Sequence, residues 1–361
     1  MLKRLLGGVA SGIDRAFGAA VLSRSRRGKS LSQSESQGHL ERLRQLDAIR
    51  ATYDRAAHYA DPRSFFPSPR HPDGVRLEHV RDVPARAGDP RSRGEVVDAT
   101  WASTITPFDA TLAGRYLGPE ANHTAAARLF LHGGSPRPAA ILVHGYRFGQ
   151  YAVEERVWPV ARLYDLGLDV ALAVLPFHAV RARPGAPFFP SSDPRITNEG
   201  FRQAVFDLGT LSVILRERGA PAVGVMGMSL GAYVAALLAT VDRDVAFLVP
   251  VIPVASMADM ARSGGRFVGT HAEKEAQHAA LDAAYRVVSP LARPPRVDPD
   301  RVVVVGGDAD HVTPIAHARS LAAHFHAPLV TFHGGHLLQL GREGAFRKVE
   351  EMLAPLLASH A

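Results

Sequence analysis

The chain contains no cysteine, which excludes disulfides, zinc–thiolate sites and a cysteine nucleophile, although it does not fix the compartment. No apolar run reaches the roughly 20 residues that a membrane-spanning helix needs, so no span is expected. The 17 histidines include no His-Glu-x-x-His pattern, and a metal site has little support. Gly28-Lys29-Ser30 lacks the upstream glycine of a phosphate loop and follows no strand. Flavin and nicotinamide signatures are missing as well, so no cofactor is expected. Acidic side chains are scarce at the N-terminus. Residues 1–30 carry Lys3, Arg4, Arg15, Arg24, Arg26, Arg27 and Lys29 against Asp14 alone, which places +6 of the net charge of +7 there. The rest of the chain is close to neutral, which argues against a nucleic-acid face.

At 361 residues and 46% hydrophobic content, the chain is long and apolar enough to bury a large core. Leu2, Leu5, Leu6, Val9, Ile13, Phe17 and Val21 recur at helical spacing, but Gly7, Gly8 and Asp14 spoil the stretch as a secretory signal. A basic amphipathic helix on an anionic membrane surface fits this pattern; a transit peptide or a helix packed on the body are the alternatives. The expected location is cytoplasmic, with residues 1–30 as the candidate point of membrane contact. The expected organisation is a basic segment and flexible linker at 1–39, a helical and irregular extension at 40–94, and a main domain at 95–361.

Leu40, Leu43, Leu46, Ile49 and Tyr53 share one face of a helix predicted over 40–59. Val75–Val83, Glu95–Ser103 and Ala125–His132 read as the first strands. The unbroken apolar run Ala139–Val143 suits a strand buried on both faces. From there strands at 169–175, 222–228, 245–252, 301–305 and 328–332 alternate with helices at 151–166, 196–218, 232–240, 315–326 and 342–358. The polar, helix-forming stretch 254–296 interrupts the rhythm as an insert. Regular βα alternation predicts an α/β fold with a mainly parallel, doubly wound sheet and helices on both faces.

In such sheets ligands sit beyond the carboxyl ends of the strands, and four of these ends carry unusual chemistry. After 222–228 comes Gly227-Met228-Ser229-Leu230-Gly231, a strand-to-helix turn that puts Ser229 at its tip in a strained conformation. After 139–143 comes His144-Gly145-Tyr146, whose Tyr146 amide, with that of Leu230, is placed to hold a developing oxyanion. After 301–305 come two carboxylates, Asp308 and Asp310. Asp310 lies past the tight glycine turn and is the better candidate to orient an imidazole, whereas Asp308 suits a loop tether. After 328–332 comes His333-Gly334-Gly335-His336. His336 follows the glycine pair and can fold back over the serine, while His333 stays near the strand.

The order Ser…Asp…His at successive strand ends resembles the α/β-hydrolase superfamily over roughly residues 95–358. His144-Gly145, the 227–231 turn, the Gly-x-x-Asp-x-Val-Thr-Pro run at 307–314 and Gly-Gly-His at 334–336 carry the likeness. The resemblance implies Ser229 as nucleophile, Asp310 as acid and His336 as base, with 254–296 as a cap. More narrowly, the chain resembles uncharacterised bacterial α/β hydrolases with an N-terminal helical extension. The implied activity is hydrolysis of an ester-type bond in a small acyl substrate through an acyl-enzyme. An acyltransferase, an amidase or peptidase on the same triad, and a binding protein that kept the fold stay open. Pro187–Pro190, Met257, Met260 and Phe267 are candidates for either an acyl pocket or core, and Arg181 and Arg183 for an anion contact or plain solvation.

Overall fold

The computed structural model describes residue 14 and residues 35–86 and 92–360. Apart from Asp14, the expected membrane-contacting stretch and the linker up to residue 34 lie outside the described residues.

Nine strands form one sheet. They are β1 (Val75–Val83), β2 (Gly94–Ala102), β3 (Thr124–His132), β4 (Ala139–Val143), β5 (Asp169–Ala173), β6 (Val223–Met228), β7 (Val245–Val251), β8 (Val304–Gly307) and β9 (Leu329–Phe332). Their order is β1-β2-β3-β5-β4-β6-β7-β8-β9. The pairs β1–β2, β2–β3 and β3–β5 are antiparallel, and every pair from β5–β4 onward is parallel. The expected α/β sheet is therefore present, and β1 extends it at its antiparallel edge.

The apolar runs make sense once both faces of the sheet are filled. Ala139, Ile141 and Val143 of β4, with Val223 and Val225 of β6, point into one core. Ala140 and Leu142, with Met226 and Met228, point into the other. A strand packed on both sides cannot alternate with polar residues, so β4 and β6 read as continuous hydrophobic sequence. β1 shows the opposite case. Most of its side chains are exposed and many are charged, and its register slips between His79 and Arg81. Charges and a bulge keep such an edge from pairing with another chain.

Helix Pro194–Glu217 packs against the central sheet, with Asp193 capping the Arg195 amide at 3.0 Å and Pro194 in its first turn. The N-terminal helix runs Glu35–Tyr53 and buries Leu46, Ile49 and Tyr53, whereas Leu40, expected on the same face, is exposed. Burying the two aliphatic side chains stabilises this attachment by about 2 kcal/mol each. Tyr53 adds a directional anchor: its hydroxyl donates to the buried Glu199 at 2.8 Å. Glu199 also accepts the Phe108 and Asp109 amides.

Some boundaries differ from expectation for identifiable reasons. The helix predicted over 151–166 is two helices, Tyr151–Val157 and Val160–Asp165, because Pro159 supplies no amide to continue the first. The strand predicted at 301–305 starts at Val304, since Asp298 caps a short 3₁₀ turn at Pro299–Arg301. The insert forms helices Met257–Ser263 and His271–Tyr285. Gln277 of the second hydrogen-bonds to His39 and accepts from Arg42, so the insert is fastened to the N-terminal helix.

Candidate active site

Helix Leu230–Val241 starts as soon as β6 ends, with Ser229 as the linking residue at φ 55° and ψ −111°. A side chain at positive φ costs on the order of 1–3 kcal/mol. The glycines on either side permit the turn. A methyl group at Gly227 would collide with the Gly231 carbonyl, and one at Gly231 with the carbonyls of Val143 and His144. Ser229 holds its place through its backbone, its amide donating to the Val251 carbonyl at 3.0 Å. A serine at a helix N-terminus ordinarily caps it, worth about 1 kcal/mol. Ser229 makes no such side-chain bond, and among the described residues no hydrogen bond engages its hydroxyl.

The end of β4 passes directly over this turn. A Cβ placed on Gly145 would lie 3.6 Å from Ser229 Cβ. Among the described residues no hydrogen bond occupies the amides of Tyr146 or Leu230; the latter is free because the carbonyl four places before it, that of Met226, lies in β6 and not in the helix. His144 is buried and neutral: its Nδ1 faces the Gly145 carbonyl at 2.7 Å, and its Nε2 accepts the Leu175 amide at 3.0 Å. Burial, with His178 nearby, pulls its pKa down to about 3. It thus ties β4 to β5. His178, bonded to the Pro176 carbonyl and pushed by burial to about 4, is likewise a packed histidine.

Asp310 is buried in its loop, and its oxygens only accept. Oδ1 takes the amides of Val312 (2.8 Å) and Thr313 (2.7 Å). Oδ2 takes the Thr313 hydroxyl at 2.8 Å and meets His336 Nδ1 at 2.8 Å. An acceptor-only carboxylate assigns the proton to Nδ1 and leaves Nε2 with its lone pair. Thr313 Oγ1 sits 3.1 Å from the same nitrogen and 3.0 Å from the Ile252 carbonyl, which joins this loop to the end of β7. Gln339 closes the arrangement from the other side, its amide reaching both Met228 Sδ (3.3 Å), beside the serine, and the His336 carbonyl (3.2 Å). Asp308 and His333 stand apart, half exposed and facing each other at 3.6 Å.

The remaining candidates separate cleanly. Arg181 is 1% exposed and paired with Asp207 at 2.8 Å, so it meets neither solvent nor ligand. Phe189 is core, Phe267 is buried, and Met257 and Met260 pack partly buried on the core. Phe188 is exposed and, with Arg183 and Arg115, lines a depression of about 800 Å³. Its ring lies 5.8 Å from the guanidinium of Arg147, the residue after Tyr146. Thr313, Gln339 and Asp14, whose carboxylate accepts the His336 amide, are contacts here that the sequence did not reveal. Thr313 stood inside a recognised motif without a role, and the other two carried no local signal.

No family model matches the chain. Uncharacterised proteins from two strains of Mycobacterium tuberculosis are 31% identical over 230 residues, covering 62% of this chain and 55% of theirs; the chain spans about half the length of these relatives. Acetyl xylan esterase 1 from Thermoanaerobacterium sp. JW/SL YS485 superposes with a TM-score of 0.54 at 15% identity, over 86% of this chain and 93% of that one. An acetyl xylan esterase from Paenibacillus sp. R4 gives 0.52 at 15% identity, over 90% and 96%. The sheet order, the parallel half-sheet and these two likenesses together show that the chain has the α/β-hydrolase fold.

Proposed function

We propose that the chain is a serine hydrolase that cleaves an ester-type acyl bond through a covalent acyl-enzyme. The observation that carries this is the conjunction of an uncapped Ser229 hydroxyl on a strained turn with the buried His336–Asp310 pair at 2.8 Å. Strain and a forgone cap are kept where function needs them. The two fold relatives named above are esterases, which supports the ester class.

In the proposed reaction His336 Nε2 removes the proton of Ser229 as its oxygen attacks the carbonyl carbon. Asp310 holds the imidazole tautomer and balances the imidazolium that forms. The amides of Tyr146 and Leu230 receive the oxyanion; losing one such donor typically costs about 3 kcal/mol in the transition state. Collapse of the tetrahedral species breaks the ester bond, and the leaving alcohol takes the proton back from His336. Water, deprotonated by the same nitrogen, then releases the acid and restores the serine. The insert at 254–296 is proposed as the cap that governs water access, and with it whether water or an added alcohol accepts the acyl group.

A fluorophosphonate probe tests the reading. Wild-type protein should be labelled at one residue, and Ser229→Ala should abolish both labelling and hydrolysis of a short-chain nitrophenyl ester. Labelling that persists in Ser229→Ala would sink the proposal.

A further inference from the structure

One buried charge has no part in that reaction. Asp14 is 1% exposed, and among the described residues no arginine or lysine forms an ion pair with it. A carboxylate removed from water must be satisfied by donors, and three backbone amides take that role. Oδ2 accepts the His336 amide at 2.5 Å and lies 3.4 Å from the His311 amide. Oδ1 accepts the Leu337 amide at 3.0 Å. A single carboxylate therefore grips the peptide groups on both sides of the His336 α-carbon, and touches the residue that follows Asp310.

Gly335 is shaped to this contact. A methyl group there would collide with Asp14 Oδ2 and crowd the Ala309 carbonyl. The segment held in this way has reason to need holding. Two glycines precede His336, and β9 ends at Phe332, so no ladder hydrogen bonds fix the backbone that carries the imidazole. Among the described residues the other restraints on the segment are the Ala309 amide to Gly334 carbonyl bond, the Gly335 amide to Leu338 carbonyl bond and the Gln339 side chain on the His336 carbonyl.

We propose that Asp14 is a positioning residue for His336. Its carboxylate clamps the 336–337 backbone so that Nδ1 stays on Asp310, the contact the proposed reaction relies on. The inference rests on the serine-hydrolase reading for its effect on rate, but not for the clamp itself. Charge-assisted bonds to backbone amides are the stronger class of hydrogen bond, and a misplacement of about 1 Å in a reacting group can cost on the order of 100-fold in rate.

The test uses the full chain with Asp14→Ala, Asp14→Asn and Gly335→Ala, each first checked by thermal melting. Asp14→Ala should lower kcat on a short-chain nitrophenyl ester by about 10- to 100-fold with KM within twofold, and slow fluorophosphonate labelling in proportion. Asp14→Asn, which keeps one acceptor, should recover part of the loss, and Gly335→Ala should fall in the same direction as Asp14→Ala. Hydrogen exchange reads the clamp independently of activity: the His336 and Leu337 amides should be protected in the wild type and lose protection in Asp14→Ala. Unchanged exchange, or kcat within twofold of an active wild type, overturns the proposal. A wild type that neither hydrolyses the ester nor takes the probe overturns the serine reading instead, and the exchange result still decides the clamp. If Asp14→Ala does not fold, Asp14→Asn and Gly335→Ala carry both measurements.

Discussion

Asp310→Asn is the most informative single substitution, because the contacts of the two carboxylate oxygens differ. Oδ1 accepts the amides of Val312 and Thr313, and the oxygen of an asparagine can keep both. Its NH₂ must then stand where Oδ2 stood, against His336 Nδ1 and Thr313 Oγ1. An NH₂ group donates, so Nδ1 has to give up its proton and become the acceptor. The proton moves to Nε2, and the nitrogen that should take the serine proton no longer can. The loop loses little, about 1 kcal/mol, since the hydroxyl of Thr313 can also accept. In the proposed reaction the rate should lose far more: a wrong tautomer in a Ser-His-Asp triad lowers kcat about 10⁴-fold, or roughly 5 kcal/mol of barrier. The assay is kcat on a short-chain ester, with nitrogen NMR of the imidazole to read which nitrogen is protonated. Asp308→Asn serves as the contrast and should stay within about twofold, because Asp308 faces only His333 at the surface. A tenfold or smaller drop in Asp310→Asn, or a larger drop in Asp308→Asn, refutes the assignment.

Two further outcomes follow from strain and burial. Ser229→Gly should abolish activity yet melt higher than Ser229→Ala, because glycine alone adopts φ 55° freely. The strain released is about 1–3 kcal/mol, offset in part by about 1 kcal/mol of added freedom in the unfolded chain; calorimetry that ranks alanine above glycine contradicts the strain argument. His144 should make the protein acid-sensitive. Its folded pKa of about 3 lies below the unfolded 6.5, so the unfolded state binds the extra proton in between. Stability from this group is full above 6.5 and drains as pH falls toward 3. In urea melts at a series of pH values, the penalty of His144→Gln relative to wild type should therefore shrink on acidification, and a constant penalty would show that burial does not hold the ring neutral.

Much of this arrangement was legible in the chain because it is written locally. β4 and β6 announce themselves as unbroken apolar runs since both their faces are filled. Ser229 is marked by the glycines that its turn requires. His336 and Asp310 are legible as residues past strand ends, and the buried 2.8 Å contact joins them. Arg181 was not legible. A charge in a proline-rich loop reads as solvated, and only tertiary structure brings Asp207 of a later helix against it. Leu40 misled in the opposite sense: the insert covers this end of the helix through His39 and Arg42 and leaves Leu40 exposed. Asp14 lay furthest out of reach, because a carboxylate among basic residues carries no sign of the distant amides it satisfies.

The separation along the chain has a consequence for biosynthesis. Asp14 and His336 are 322 residues apart, and β6 pairs with β4 across the intervening β5 and a long helix. Contacts so remote in sequence form late and set folding speed. As the polypeptide leaves the ribosome, Asp14 emerges well before the 336–337 backbone that it holds. Until then Ser229 exists without His336, and under the proposed reaction a half-finished chain is chemically quiet.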